Sequence, residues 1–280
     1  MNLDKIQRWA LYLFFFSINF EVWDPFNTGG FFSVSKLTGI IYLLTVIPHY
    51  KQFFLTSYIK PVIVPIWIFF GWLTIISFLN INSVSSSFFD FSIFQNIILM
   101  WILINHERKT PNILTRGLLS FAFGSIALSI LYNFGIGVVY DIGGRVSLFG
   151  DNENIIGMRI SISIIILLIT IVQNPLHLKK IRFIFIAALP LMLKLMAESG
   201  SRVAFISFVV MFLMGTLLIK TKKSWYKIGV LILGVVVFFI IIQYILQSEV
   251  ILTRLIKSYE EGDLAGRDVI WQNIIPLIKA

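Results

Sequence analysis

No cysteine occurs among the 280 residues. That excludes disulfides, thiolate catalysis and cysteine-ligated metal sites. Charge is scarce: 13% of residues are Asp, Glu, Lys or Arg, where ordinary globular chains carry about 25%. Histidine is rarer, with only His49, His106 and His177. No long polar linker, low-complexity run or internal repeat divides the chain. What dominates is hydrocarbon: 58% of the residues are hydrophobic and the mean hydropathy is +0.88. A soluble chain of this length cannot bury so much apolar surface, and extended strands would leave their backbone groups unpaired in lipid unless a barrel closed. The fold class is therefore all-α, a polytopic helical membrane protein.

A helix needs about 20 apolar residues to cross roughly 30 Å of hydrocarbon. The apolar runs predict about nine transmembrane helices, at 9–23, 31–47, 61–79, 88–105, 113–133, 154–172, 183–197, 203–219 and 229–246. The opening "MNLDKIQRWALYLFFFSINF" has the charge and apolarity of a signal peptide. It lacks a small-residue cleavage site, so it reads as a retained first helix. Residues 1–246 form one helical transmembrane domain in this reading, and 247–280 begin an outer-face loop with an amphipathic helix.

Orientation follows from the basic residues. With a cytoplasmic N-terminus, Lys5, Arg8, Arg108, Lys109 and the lysines around 220–227 fall inside, accompanied by only two acids, Asp4 and Glu107. The remaining acids fall outside, and the C-terminal tail lies outside with them. The net charge of +9 then reports membrane orientation and not a nucleic-acid partner, because the basic residues sit in short loops between spans.

Three outer segments carry the remaining polar chemistry. In "GGRVSLFGDNENIIGMR" (143–159), Arg145 follows two glycines, and Asp151, Asn152 and Asn154 suit a helix cap. The helix start favours an anion. Arg159, one and a half turns inside, should face a polar cavity or snorkel outward. A capped loop with a snorkelling arginine is the alternative. In "AESGSRVAF" (197–205), Gly200 can end one helix in a left-handed conformation and Ser201 can cap the next. Arg202 then opposes the helix dipole, which an anion between guanidinium and helix end would reverse. The alternative is a pair with Glu198 or a lipid phosphate. In "SYEEGDLAGRDVIWQNIIPLI" (258–278), Arg267 and Asp268 start an amphipathic run suited to the membrane surface. The alternative there is a solvated, salt-bridged helix start.

In their order and spacing these segments resemble the O-antigen ligase and O-antigen polymerase family of bacterial membrane glycosyltransferases. The resemblance rests on Arg145, Phe149, Gly150 and Asn154, then Gly200, Ser201 and Arg202, then Gly266, Arg267, Ile270 and Trp271. It covers about residues 140–280. It implies a multi-pass protein of the bacterial cell membrane that moves a glycan from an undecaprenyl-pyrophosphate carrier to a lipid, glycan or protein acceptor on the outer face. The expected partners are that donor, the acceptor and membrane lipid. Arg145 and Arg202 are the expected catalytic clamp on the pyrophosphate, with Asn152, Asn154, Arg159, Ser201 and Arg267 in substrate binding. No cofactor is implied, and a divalent metal is not excluded. Asp151, Glu153 or a residue absent from this sequence could activate the acceptor. The family normally carries a histidine in the rest of its large outer loop, which has no counterpart here, so residues 1–280 alone are expected not to transfer glycan. A lipid-linked glycan transporter, or a non-enzymatic membrane component of polysaccharide export, is the rival reading.

Overall fold

The computed structural model describes residues 3–29, 32–57, 59–79, 84–141, 144–173 and 181–218, with isolated positions elsewhere. The expected span 229–246 and the tail 247–280 fall outside the described residues except at such positions, and Arg267 falls outside them altogether. The described elements run α1 (Leu3–Ser17), α2 (Val34–Val46), α3 (Tyr50–Phe53), α4 (Lys60–Leu79), α5 (Val84–Lys109), α6 (Ile113–Asn133), β1 (Val138–Tyr140), β2 (Val146–Leu148), α7 (Glu153–Gln173), α8 (Ile181–Glu198) and α9 (Arg202–Leu218). The protein is a multi-spanning helical membrane protein, and its described residues are all-α apart from one two-stranded ribbon.

The expectation of about nine spans is corrected. Among the described residues, three helices are long and apolar enough to cross a membrane: Lys60–Ser77, Ile113–Asn133 and Glu153–Gln173. The other apolar runs within the described residues become shorter or more polar helices. The first run stops at Ser17 and tightens into a single 3-10 turn, Ile18–Phe20. The second ends at Val46, where Pro48 enters a 3-10 turn, Ile47–His49. Helices of 15 and 13 residues rise only about 20 Å, short of the hydrocarbon thickness. In α5 the last turn carries His106, Arg108 and Lys109. Lys194 interrupts α8, and α9 has 17 residues.

The chain forms two compact units. The first comprises Met1–Phe15 and Lys36–Ser120. There α4 packs on α5 through Ile59, Ile63 and Ile97, flanked by Trp67, Phe70 and Trp101. Polar ties close one end. Lys109 Nζ meets Asp4 Oδ1 at 2.7 Å, and the Gln7 amide donates to the Thr45 carbonyl at 2.7 Å. Buried His106 takes the Tyr42 hydroxyl at Nδ1, 2.9 Å away. Burial, aided by the Lys109 charge, lowers the His106 pKa from 6.5 to about 4. The imidazole is therefore neutral at pH 7.

The second unit comprises Phe16–Ser35 and residues from Phe121 onward. Its centre is α7, which packs on α8 and α9. Ile156, Ile160, Ile164 and Leu167, spaced three and four apart, are fully buried along one face. Small residues let backbones approach, as is usual between membrane helices. A Cβ at Gly124 would lie 2.3 Å from the Phe16 carbonyl oxygen, so only glycine fits. Beside it the Asn19 amide donates to the Phe121 carbonyl at 2.8 Å, and the Ser125 hydroxyl donates to Asn19 Oδ1. The second unit carries the candidate site.

Candidate functional site

Antiparallel strands β1 and β2 pair Val138 with Leu148, Val139 with Ser147 and Tyr140 with Val146. The pairing continues past the strands. Asp141 N–H donates to the Arg145 carbonyl at 3.0 Å, and Arg145 N–H donates to Asp141 Oδ1 at 2.9 Å. These two bonds fix the backbone of Arg145. At the other end, Phe149 and Gly150 both take positive φ, 55° and 80°, and the chain reverses with Asp151 N–H on the Leu148 carbonyl. Stacking offsets the strain at Phe149: its ring lies 5.2 Å from Trp23 and rests against Gly137, where a Cβ would meet it at 2.5 Å.

The Arg145 side chain is buried and fully directed. Its Nε donates to the Ser199 carbonyl at 3.1 Å, its Nη2 to Asn154 Oδ1 at 2.9 Å, and its Nη1 lies 3.2 Å from Glu153 Oε2. The partner carbonyl belongs to the α8–α9 turn, 54 residues away. There Gly200 has φ +62° and ends α8, and a Cβ on it would press on Arg145 Cγ at 3.2 Å. Buried Ser201 caps α9: its hydroxyl accepts from Ala204 N–H at 3.2 Å. Arg202 is the first residue of α9 and half-buried. The turn also grips α7, because Gly157 leaves room for Ser199, Ser201 and Ala204, and the Ser161 hydroxyl donates to the Ala204 carbonyl at 2.8 Å.

At the start of α7, Asn152 is the cap, its Oδ1 accepting from Asn154 N–H at 2.9 Å. Asn154 does not cap; its side chain serves Arg145. Arg159 neither snorkels nor faces an open cavity. It is buried, with Nη1 on Asp151 Oδ2 and Nη2 on Glu21 Oε2. Asp151 is buried too, and its Oδ1 takes Asn152 N–H at 2.8 Å. Both carboxylate oxygens are thus engaged, each by one donor, which holds the Asp151 side chain in place. Arg159 acts as a tie between α7, the preceding loop and the segment after α1.

The structure thus brings together Arg145, Asn152, Asn154, Arg159, Ser201 and Arg202 around the first turns of α7 and α9. Two residues that sequence reasoning left out complete it. Glu21 stands 138 residues from its partner Arg159, a distance at which no local pattern connects them. Gly157 sits inside a helix, where sequence alone marks it as a weak helix former. Lys194, one turn before Glu198 on α8, places its Nζ over the Tyr132 ring at 5.5 Å. Electrostatically the site is not a bare cation cluster. Glu153 faces Arg145, and Asp151 with Glu21 faces Arg159. Such an arrangement can bind an anion by exchanging Glu153 for it at the Arg145 fork, next to two helix N-termini. Among the described residues no group of three or more His, Asp or Glu side chains is set to hold a metal ion. Comparison with protein-family models, curated proteins and solved structures gives no match.

Proposed function

We propose that the protein is a multi-pass glycosyltransferase of the bacterial cell membrane, of O-antigen ligase or polysaccharide polymerase type. It has a cytoplasmic N-terminus and its site on the outer face. In this reading it takes a glycan from an undecaprenyl-pyrophosphate carrier. The acceptor hydroxyl oxygen forms the new glycosidic bond and gives up its proton to water, the bond from sugar to pyrophosphate breaks, and the pyrophosphate leaves with the bonding pair. Arg145 and Arg202 neutralise the charge that develops on that leaving group. Guanidinium suits this role because it is permanently charged and binds phosphate through two parallel donors.

The observation that carries the reading is the 3.1 Å bond from Arg145 Nε to the Ser199 carbonyl. It joins "GGRVSLFGDNEN" to "ESGSR", the two described segments on which the family resemblance rests. Residues far apart in sequence that resemble one enzyme's motifs have a reason to meet if they form one site. Arg202 adds a cation where the α9 dipole alone disfavours it.

The test uses membranes from cells in which the protein is present together with whatever completes its outer loop, and an undecaprenyl-pyrophosphate oligosaccharide bearing a photo-crosslinker. The donor should crosslink to the protein. Arg202→Lys should insert and melt like the parent yet weaken donor capture at least tenfold and abolish transfer to acceptor, because a point charge does not reproduce the fork. Wild-type capture and transfer by Arg202→Lys would remove Arg202 from the clamp. Donor that crosses the bilayer chemically unchanged would make the protein a transporter instead.

A further inference from the structure

The connection from α6 to α7 is bounded at both ends by helices of membrane length. Residues 134–152 therefore lie at one membrane surface. The inner strand of its ribbon, β2, is wholly buried. The outer strand and the residues before it are the opposite. Phe134 is 77% exposed, Ile136 50%, Val139 53% and Tyr140 63%. Four large apolar side chains within seven residues, all uncovered, do not suit a loop standing in water.

We propose that this segment is a membrane-surface anchor: β1 lies in the headgroup layer, and Phe134, Ile136, Val139 and Tyr140 rest against the lipid. Two observations select lipid over a protein partner. The exposed surface continues without a break into the membrane helix. Ile130, 38% exposed, lies one turn before Phe134, and Phe134 N–H still donates to the Ile130 carbonyl at 3.1 Å. Ile155, in the first turn of α7, is likewise exposed. The depth is bounded as well. Among the described residues β1 pairs only with β2, so there its far edge presents backbone N–H and C=O groups. In hydrocarbon each would cost several kcal/mol, whereas hydrated headgroups satisfy them. Val139 and Tyr140 are adjacent, so they point to opposite faces of the ribbon. Both are exposed, which fits a strand entering the headgroup layer by its free edge, with an aromatic residue at the depth aromatic belts prefer. Arg145 is tied to Asp141 directly after β1, so the anchor also sets the height of Arg145 to that of lipid phosphates. The inference stands whether or not the protein transfers glycan.

The absence of cysteine makes the test direct. Nitroxide labels are placed singly at Val139→Cys and Phe134→Cys in the protein reconstituted in phosphatidylcholine vesicles, with Asn152→Cys for comparison. Collision with oxygen and with a water-soluble nickel chelate is read by electron paramagnetic resonance. Labels at 134 and 139 should favour oxygen, at a depth near the phosphates, and the label at 152 should favour nickel. No anionic lipid should be needed, because the exposed set carries no basic residue. Nickel-dominated collisions at 134 and 139 would place the segment in water. Shielding from both reagents would mean that protein covers it. Either result overturns the anchor, and neither bears on glycan transfer.

Discussion

Gly157→Ala is a single added methyl group with a defined place to go wrong. Its Cβ would stand 2.7 Å from Ser199 Oγ, 2.9 Å from Ala204 Cβ and 3.0 Å from Ser201 Cβ. None of these can swing aside. Ser199 is fully buried and its hydroxyl is committed to the Met196 carbonyl at 2.7 Å; the other two atoms are Cβ carbons, fixed by the backbone. The α8–α9 turn must move away from α7, and with it the Ser199 carbonyl that holds Arg145. Over-packing of this kind costs about 1–3 kcal/mol, against which alanine's better helix propensity returns about 1 kcal/mol or less. For a chain of this size the net corresponds to a fall in Tm of up to about 8 °C, and to a larger gap from a glycine-to-alanine change that gains the same propensity without the clash. The seven tryptophans report the melt by intrinsic fluorescence in detergent. Gly71→Ala, on α4, is the control: nothing lies within 4 Å of the new Cβ, so Tm should hold or rise. Adding Ser199→Ala to Gly157→Ala removes the nearest atom and should return part of the loss. If Gly157→Ala melts with Gly71→Ala, the close approach of α7 to the turn is wrong.

Other consequences are testable in the same format. Arg159→Met leaves Asp151 buried without its cation and should cost about 3–5 kcal/mol, whereas Arg159→Met with Asp151→Asn should recover most of it; equal melts for the single and double variants would deny the buried pair. His106 ties stability to acid. Its folded pKa of about 4 lies below the unfolded value of 6.5, so the unfolded chain binds the extra proton between these values. The contribution is complete above pH 6.5 and is lost as pH falls toward 4, about 2 kcal/mol of it by pH 5. His106→Gln should flatten the Tm profile between pH 7.5 and 5, and an unchanged slope would refute the assignment.

The long uninterrupted runs were legible. The span expected at 113–133 is α6 itself, and those at 61–79 and 154–172 match α4 and α7 to within a residue at each end. Hydropathy fails where a run is apolar but its backbone is not one helix. Phe14 to Phe20 is apolar on average and reads as part of one span, yet the helix gives way at Ser17. There Asn19 bonds across to the Phe121 carbonyl, a tertiary contact that no window average contains. The caps at Asn152 and Ser201 and the left-handed Gly200 follow local rules, and sequence reading reached them for that reason. The partners of the arginines do not follow such rules. Asn154 suits a cap as well as it suits Arg145, and only the return of β2 toward α7 decides between them. The ribbon itself was invisible because three-residue strands carry too little alternation to register.

The resting site holds its own anion, which gives the proposed chemistry a specific dependence on Glu153. Glu153 is the first residue of α7, where a carboxylate is favoured by the helix dipole, and its Oε2 lies 3.2 Å from Arg145 Nη1. A pyrophosphate oxygen seeking that nitrogen competes with Glu153 for both the guanidinium and the helix end. Glu153→Gln keeps the side chain's size and removes the competing charge. Even at the about 1 kcal/mol typical of a well-placed exposed pair, donor binding should tighten at least about fivefold, while the helix start loses roughly 0.5 kcal/mol of dipole stabilisation. A general base would behave in the opposite way. Removing it should leave donor affinity alone and lower turnover by about 10²–10⁴. Donor titration and turnover on the same Glu153→Gln membranes therefore give distinct signatures: tighter binding with turnover retained marks a displaced internal anion. Unchanged binding with turnover lost would make Glu153 the base that activates the acceptor hydroxyl, and would refute its role as competitor.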